Sequence, residues 1–382
     1  MSSSKRLPVT VVTGFLGAGK TTVLRHLLLN SGKRLAVLVN EFGEVGIDGA
    51  LLRSCGFCPD DELDGRLVEL ANGCLCCTVQ DDFLPTMERL LQRSQQLDGI
   101  VVETSGLALP EPLVAAFGWP AIRTRTWVHG VITVVDGEAL ASGHVVRDPQ
   151  ALEAQRQADP SLDHLDAIED LFADQLQAAD LVLISRADLL EQQALEVLKS
   201  TLQASLRHET PCLPIAHGVI EPELLLGSGI SHSRDHGDGH AHGDDQSHAH
   251  DHHEHEHEHE HEHHDHAHVA IESLAFDLGG NWQQSDIENR LQALLSQQTV
   301  VRLKGWLAMA GKQRLLQIQA VGPRLNCWYE GEAKDLLDAA RSSRLKLVVL
   351  GFGLDRVRIA EVLQQPVGTP TPFQTAPLSP AE

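Results

Sequence analysis

Eight residues near the amino end, GFLGAGKT from Gly14 to Thr21, leave this chain few choices of fold. They match G-x-x-x-x-G-K-[ST], a loop whose backbone N–H groups close around phosphates where a buried strand hands the chain to the first turn of a helix. VTVVT precedes the loop and TVLRHLLLN follows it, so the required setting is present. Gly14, Gly17 and Gly19, with Ala18 in the same loop, supply the backbone cradle. Lys20 reaches the β- and γ-phosphates and Thr21 ligates Mg²⁺.

A loop of this kind sits on a parallel sheet, and the sequence carries the rhythm of one. VTVVTGF, LAVLVNEF, IVVETSG, GVITVVD and LVLISRAD are short, β-branched, bounded by turn residues and separated by helical stretches. They predict a P-loop NTPase α/β domain over residues 1–228, a parallel sheet with helices on both faces. Glu103 ends the third run and reads as the second acid of the Mg²⁺ site; Gly106 follows, with an N–H that can sense a γ-phosphate. The fifth run ends Ser185-Arg186-Ala187-Asp188, where guanine-specific proteins carry Asn-Lys-x-Asp. Asp188 keeps the carboxylate that accepts from guanine N1–H and the exocyclic amine, and the Arg186 stem can stack over the base. GTP is therefore expected over ATP, although the missing Asn removes one supporting hydrogen bond.

Three thiols crowd GCLCC, Gly73 to Cys77. Seven Cys, an odd number with three inside five residues, argue against a disulfide framework and for metal or redox chemistry in a reducing compartment. Side chains alternate along an extended segment, so Cys74 and Cys76 share a face while Cys77 turns to the other. Either a turn brings all three to one ion, or two thiolates are joined by ligands from elsewhere. Glu41, Glu44 and Asp48 in NEFGEVGID are the candidates, because they follow the second strand, where a nucleotide-responsive switch lies in this fold. Cys55 and Cys58 form CGFC with no second pair at zinc-finger spacing and read as an ordinary loop; Cys212 and Cys327 read as packed singletons.

Over residues 229–268 the pattern collapses into low complexity. Ser231 to His268 holds sixteen of the 22 His, eleven acids and one Arg, including the tract HEHEHEHEHEH. Too few apolar side chains remain there to offset chain entropy, which predicts a disordered linker whose imidazoles collect Zn, Ni, Co or Cu weakly and interchangeably. Order resumes at Val269: AFDLGG, DIENRLQALLSQQ, VVRLKGWLAMA, RLLQIQAV, LKLVVLGFG and DRVRIAEVLQQ read β-α-β-β-(α)-β-α, a smaller α+β domain over 269–365, before a disordered tail at 366–382. The linker accounts for −10 of the net charge of −23, and the remainder still disfavours nucleic acid as a partner. No apolar run approaches the roughly 20 residues of a membrane span. MSSSKRLPVTVVTGF lacks a signal core, so a cytoplasmic protein with no membrane partner is expected.

Taken in order, GFLGAGKTT, NEFGEVGID, ELANGCLCCTV, ETSGLALPEPL, the acid-ended base motif, the His-rich linker and the small carboxyl-terminal domain resemble the CobW family of GTP-dependent metallochaperones over nearly the whole chain. The phrases GCLCCTVQDDFLPTM and ETSGLALPEPLVAAF resemble its cobalamin-biosynthesis branch. The resemblance implies a GTPase in which Gly17, Gly19, Lys20, Thr21 and Thr22 hold phosphates and Mg²⁺, and Lys20, Thr21 and Glu103 serve hydrolysis. It puts Ser185, Arg186 and Asp188 at the base and Cys74, Cys76 and Cys77 in the metal motif. It further implies Co²⁺ as cargo and a cobaltochelatase as client, with Zn²⁺ or Ni²⁺ for another metalloenzyme as the alternative. Lys5-Arg6-Leu7-Pro8 lacks the Cys-Pro docking motif often carried by the zinc-delivery branch. Two readings of other classes compete. A P-loop small-molecule kinase or ligase with structural Zn lacks a cluster of substrate-clamping residues, and a passive His-rich metal store leaves the phosphate loop unexplained.

Overall fold

The computed structural model describes residues 6–39, 67–69, 83–158, 168–227, 271–330 and 343–364. The first domain runs β1 (Leu7–Thr13), α1 (Lys20–Asn30), β2 (Leu35–Val39), β3 (Leu67–Glu69), α2 (Leu84–Gln92), β4 (Gly99–Glu103), α3 (Pro110–Ala116) and β5 (Thr126–Asp136). It continues with α4 (Gly137–Ala141), α5 (Pro149–Ala158), α6 (Ile168–Ala178), β6 (Leu181–Ser185), α7 (Gln192–Ser205), β7 (Cys212–Pro214) and α8 (Pro222–Leu225). Its strands form one sheet in the order β3-β2-β4-β1-β5-β6-β7, every neighbouring pair parallel. A parallel sheet covered on both faces demands strands apolar on both sides, and every residue of β1, β4 and β6 is buried. Side chains sort by alternation: Val9 and Val11 join Leu38 under α2 and α3, while Val12 joins Val37 and Ile132 under Val23, Leu24 and Leu27 of α1. Val182 and Ile184 meet α6 and α7. The five expected strands are all present. β3 and β7 are added at the two edges, each three residues long and too short to leave a periodic signal.

The second domain comprises β8 (Glu272–Gly280), α9 (Gln284–Leu295), β9 (Thr299–Ala308), β10 (Leu315–Val321), β11 (Arg324–Glu330), β12 (Ser343–Phe352) and α10 (Arg356–Gln364). Its antiparallel sheet has the order β11-β10-β9-β12-β8. Ile287, Leu291 and Leu294 of α9 and Ile359 and Leu363 of α10 cover one face. β11 is not foreshadowed in the sequence, because its seven residues RLNCWYE are all half-buried and so show no contrast between faces. Between RLLQIQAV and LKLVVLGFG, where the sequence reads a bracketed helix, residues 331–342 lie outside the described residues, as do the linker and the tail.

The other face of this sheet lies on the first domain. Val301 and Val321 join the core layer beneath α1, and the rings of Trp127 and Trp328 meet with centroids 4.9 Å apart. Several polar groups enclosed in the seam are paired. Fully buried Asp180 accepts from Val131 N at 2.8 Å, from Arg207 Nη2 at 2.6 Å and from Arg324 Nε. His129 shares its Nε2 with Nη1 of Arg302, and both residues are buried. An arginine donates only, so the imidazole accepts and is neutral there. Burial, reinforced by the charges of Arg302, Lys33 and Arg324, holds the His129 pKa well below its ordinary 6.5. Among the described residues no helix is long and apolar enough to cross a membrane.

The seam carries a pH signature. The unfolded chain protonates His129 near pH 6.5 whereas the native seam resists, so this site's contribution to stability is complete above about pH 6.5 and declines as pH falls toward the lower native pKa. His129→Gln keeps an acceptor for Arg302 and removes the titration. Urea unfolding at stepped pH is expected to show a flatter decline between about pH 6.5 and 5 for the variant than for the parent; identical slopes would assign the proton uptake to other groups.

Candidate functional site

β1 delivers the chain to the phosphate loop against the backbone of β5. Gly14 has φ 132°, and a Cβ placed on it would lie 2.1 Å from the carbonyl oxygen of Val134, so only glycine fits. Gly19 immediately precedes α1, whose first residue is Lys20. Lys20 is buried, and its Nζ donates to the carbonyl oxygens of Gly14 at 2.7 Å and Phe15 at 3.1 Å. The ammonium is thereby folded back along its own loop.

β4 lies beside β1 and sets Glu103 opposite Val12. The buried carboxylate accepts from Thr21 Oγ1 at 3.3 Å. A hydroxyl and a carboxylate oxygen side by side are hard donors that suit Mg²⁺. The strand ends are tied together: Thr104 N donates to Val12 O at 3.0 Å and Thr104 Oγ1 to Thr13 Oγ1 at 2.8 Å. Gly106 lies so close to the loop that a Cβ on it would come within 2.7 Å of Leu16 N, and its carbonyl accepts from Gln175 Nε2 at 3.1 Å.

β6 ends at Ser185, and Arg186 follows in the left-handed region at φ 53° before a turn of 3₁₀-helix over Ala187–Leu189. Nη1 and Nη2 of Arg186 each donate to Gly17 O at 3.2 Å, and Nη1 also donates to the carboxylate of Asp136, the last residue of β5. Asp188 lies in the turn with His217 Nε2 3.7 Å from its carboxylate. Asp136 and His217 had no assigned role in the sequence reading. An acid directly after the apolar run GVITVV was the available signal for Asp136; His217 had none.

Gly14, Gly17, Ala18, Gly19, Lys20, Thr21, Thr22, Glu103, Gly106, Ser185, Arg186 and Asp188 thus gather where β1, β4 and β6 end. Cys55, Cys58, Cys74, Cys76, Cys77, Glu41, Glu44 and Asp48 lie outside the described residues. The points of departure of their segments are described: β2 ends at Val39 and β3 at Glu69, in register with each other, and Val39 is in register with Glu103. Among the described residues no group of three or more His, Cys, Asp or Glu is placed to hold a metal. Cys212 and Cys327 are half-buried free thiols, each pushed up to about 12 by burial, and pack as the sequence suggested.

Residues 8–213 match the family described as CobW/HypB/UreG, nucleotide-binding domain. The chain belongs to the CobW/HypB/UreG family. Residues 271–366 match the Cobalamin synthesis protein cobW C-terminal domain, so both sheets are accounted for. The chain is 44% identical to Zinc chaperone CobW of Pseudomonas aeruginosa over 366 residues, which covers 95% of this chain and 92% of that protein. It is 40% identical to Zinc chaperone CobW of Sinorhizobium sp over 350 residues, covering 91% and 93%. Zinc-regulated GTPase metalloprotein activator 1 of Schizosaccharomyces pombe is 34% identical over 200 residues, 51% of this chain and 43% of that protein. Like the rest of this P-loop family, the chain is a GTPase.

The close approach at Gly106 makes a test of the site's packing. Gly106→Ala forces Leu16 and the phosphate loop to shift, and is expected to weaken both GDP and GTP roughly tenfold, as overpacking of this size does. Displacement of a fluorescent guanine nucleotide measures it, and parental affinity would mean that the loop yields without consequence.

Proposed function

We propose that this CobW-family GTPase is a metallochaperone. It binds a divalent transition metal in a thiolate-rich site assembled in the Mg²⁺·GTP state and gives the metal to a client protein on hydrolysis. One observation carries the reading: Val39 of β2 is in register with both Glu69 of β3 and Glu103 of β4. The segment that bears Glu41, Glu44 and Asp48 therefore sets out beside the strand whose carboxylate meets Thr21, and the segment that bears Cys74, Cys76 and Cys77 follows the strand next outward.

In this reading residues 1–228 form the GTPase domain, 229–268 a metal-collecting linker, 269–365 the second domain and 366–382 a tail. Gly14, Gly17, Ala18, Gly19, Lys20 and Thr22 hold the phosphates, and Lys20 neutralises charge on the transferred group. Thr21 and Glu103 hold Mg²⁺, which supplies further positive charge there. Gly106 senses the γ-phosphate, and Asp188 accepts from guanine beside Ser185 and Arg186. Since each ligand shifts the equilibrium only by its preference for the closed state, metal and GTP must tighten each other equally. The proposed place of action is the cytoplasm, where thiols stay reduced.

Zinc is the better supported cargo, because both relatives matched over at least 91% of this chain are named zinc chaperones. Thiolates also bind Zn²⁺ more tightly than Co²⁺. Delivery of Co²⁺ to a cobaltochelatase is the second reading, favoured by the match of residues 271–366 to a domain named for cobalamin synthesis.

Mg²⁺ with a non-hydrolysable GTP analogue is expected to tighten Zn²⁺ by more than about tenfold, or about 1.4 kcal/mol, relative to GDP. Competition with a chromophoric chelator reads Zn²⁺, and thiolate charge-transfer absorbance reads Co²⁺ in parallel. Equal affinity in both nucleotide states would remove the switch, and a response of Co²⁺ alone would transfer the proposal to cobalt.

Replacing Cys76 or Cys77 with Ser exchanges a readily ionised soft ligand for a hydroxyl that stays protonated, so the nucleotide-dependent metal site should weaken severely. Binding of Mg²⁺·GTP without metal should persist. An unchanged metal affinity in these variants would move the cargo site elsewhere, with Cys55 and Cys58 next to be tested.

A further inference from the structure

The guanine corner lacks a tie that its sequence pattern normally supplies. Ser185 stands where the Asn of Asn-Lys-x-Asp would be; its hydroxyl is buried and finds no hydrogen-bond partner among the described residues. It faces Gly19, whose added Cβ would lie 3.6 Å from the Ser185 Cβ and 3.7 Å from its Oγ, so the short side chain fills space without bonding to the loop. The connection between base motif and phosphate loop is made instead by Arg186, through two 3.2 Å hydrogen bonds to Gly17 O.

Arg186 is held in that pose from the opposite side. Its left-handed backbone is uncommon for a residue with a side chain, and a five-bond side chain left to itself would sample many rotamers. Asp136 removes that freedom. It is 3% exposed, lies in register with Ser185 across β5 and β6, and receives Arg186 Nη1 on Oδ2. Its other oxygen, Oδ1, accepts from Ala139 N at 3.2 Å and caps α4. The corner is closely packed: a Cβ on Gly137 would lie 2.7 Å from Ser185 O. Arg147 approaches Asp136 from outside, with Nε at 3.5 Å and a half-exposed side chain.

We propose that Asp136 is a positioning residue for guanine recognition: by fixing Arg186 against Gly17 it replaces the Asn-mediated tie and sets the place of Asp188 two residues on. The inference rests on the reading of Asp188 as the guanine acceptor. A mere helix cap is the competing role, and Asn caps as well as Asp. Asp136→Asn therefore keeps the cap and removes only the charge that holds Arg186.

The test measures kcat and KM for GTP and ATP, and GDP affinity, in the parent, Asp136→Asn, Arg186→Ala, the double variant and Arg147→Gln. Asp136→Asn is expected to raise the GTP KM and the GDP Kd about tenfold, with a smaller change in kcat, and to narrow the preference for GTP over ATP. The double variant should be no worse than the poorer single one, because both remove the same tie. Arg147→Gln, which removes a guanidinium that is itself half-exposed and screened, should change KM by less than about threefold. A parent that prefers GTP alongside an Asp136→Asn protein of equal KM and equal preference overturns this inference alone, as do losses that multiply in the double variant. A parent with no preference for GTP overturns the guanine reading and this inference with it.

Discussion

The site depends on contact between backbones. The phosphate loop is laid directly on the sheet at Gly14, where the carbonyl of Val134 leaves no room for a Cβ, and the β4 loop is laid on the phosphate loop at Gly106. These approaches are possible because β4 enters between β1 and β2, so that the chain leaves β1 on one side and returns on the other. The resulting crevice lies at the carboxyl ends of the strands, where open α/β sheets bind their ligands. Glu103 reaches Thr21 by this insertion, across 82 residues of sequence.

The parts of this arrangement that were legible in the sequence are those encoded locally. GFLGAGKT fixes its own loop, a strand run followed by an acid and a glycine marks Glu103 and Gly106, and an apolar run ending in Ser-Arg-Ala-Asp marks the base motif. Asp136 was hidden because its partner stands 50 residues away and is brought to it by strand order rather than spacing. His217 reaches Asp188 from the loop after β7, a strand too short to be recognised beforehand. β11 was hidden because a strand half-buried on both sides has no polar face to betray its period.

The seam between the domains follows a different logic from either core. Beside its apolar contacts, charges enclosed there have specific partners: Arg207 and Arg324 converge on Asp180, and Thr299 Oγ1 donates to Glu209 at 2.8 Å. Buried ion pairs return little net stability once desolvation is subtracted, but a misplaced partner leaves a bare charge. Such a contact fixes orientation more than it adds strength. None of these pairs has a sequence signature, since His129 and Arg302 are 173 residues apart.

β5 belongs to both places. It enters at the seam, where Trp127 lies on Trp328, and leaves at Asp136, where Arg186 is held. Its eleven residues span about 35 Å, and it is hydrogen-bonded to β1 on one side and β6 on the other. β1 pairs along residues 126–133 and β6 along residues 132–136, and the register with β1 shifts beside His129, so the two ends of the strand are held by different neighbours. One strand therefore borders both the seam and the Arg186 corner, and a change of register at its middle separates the two.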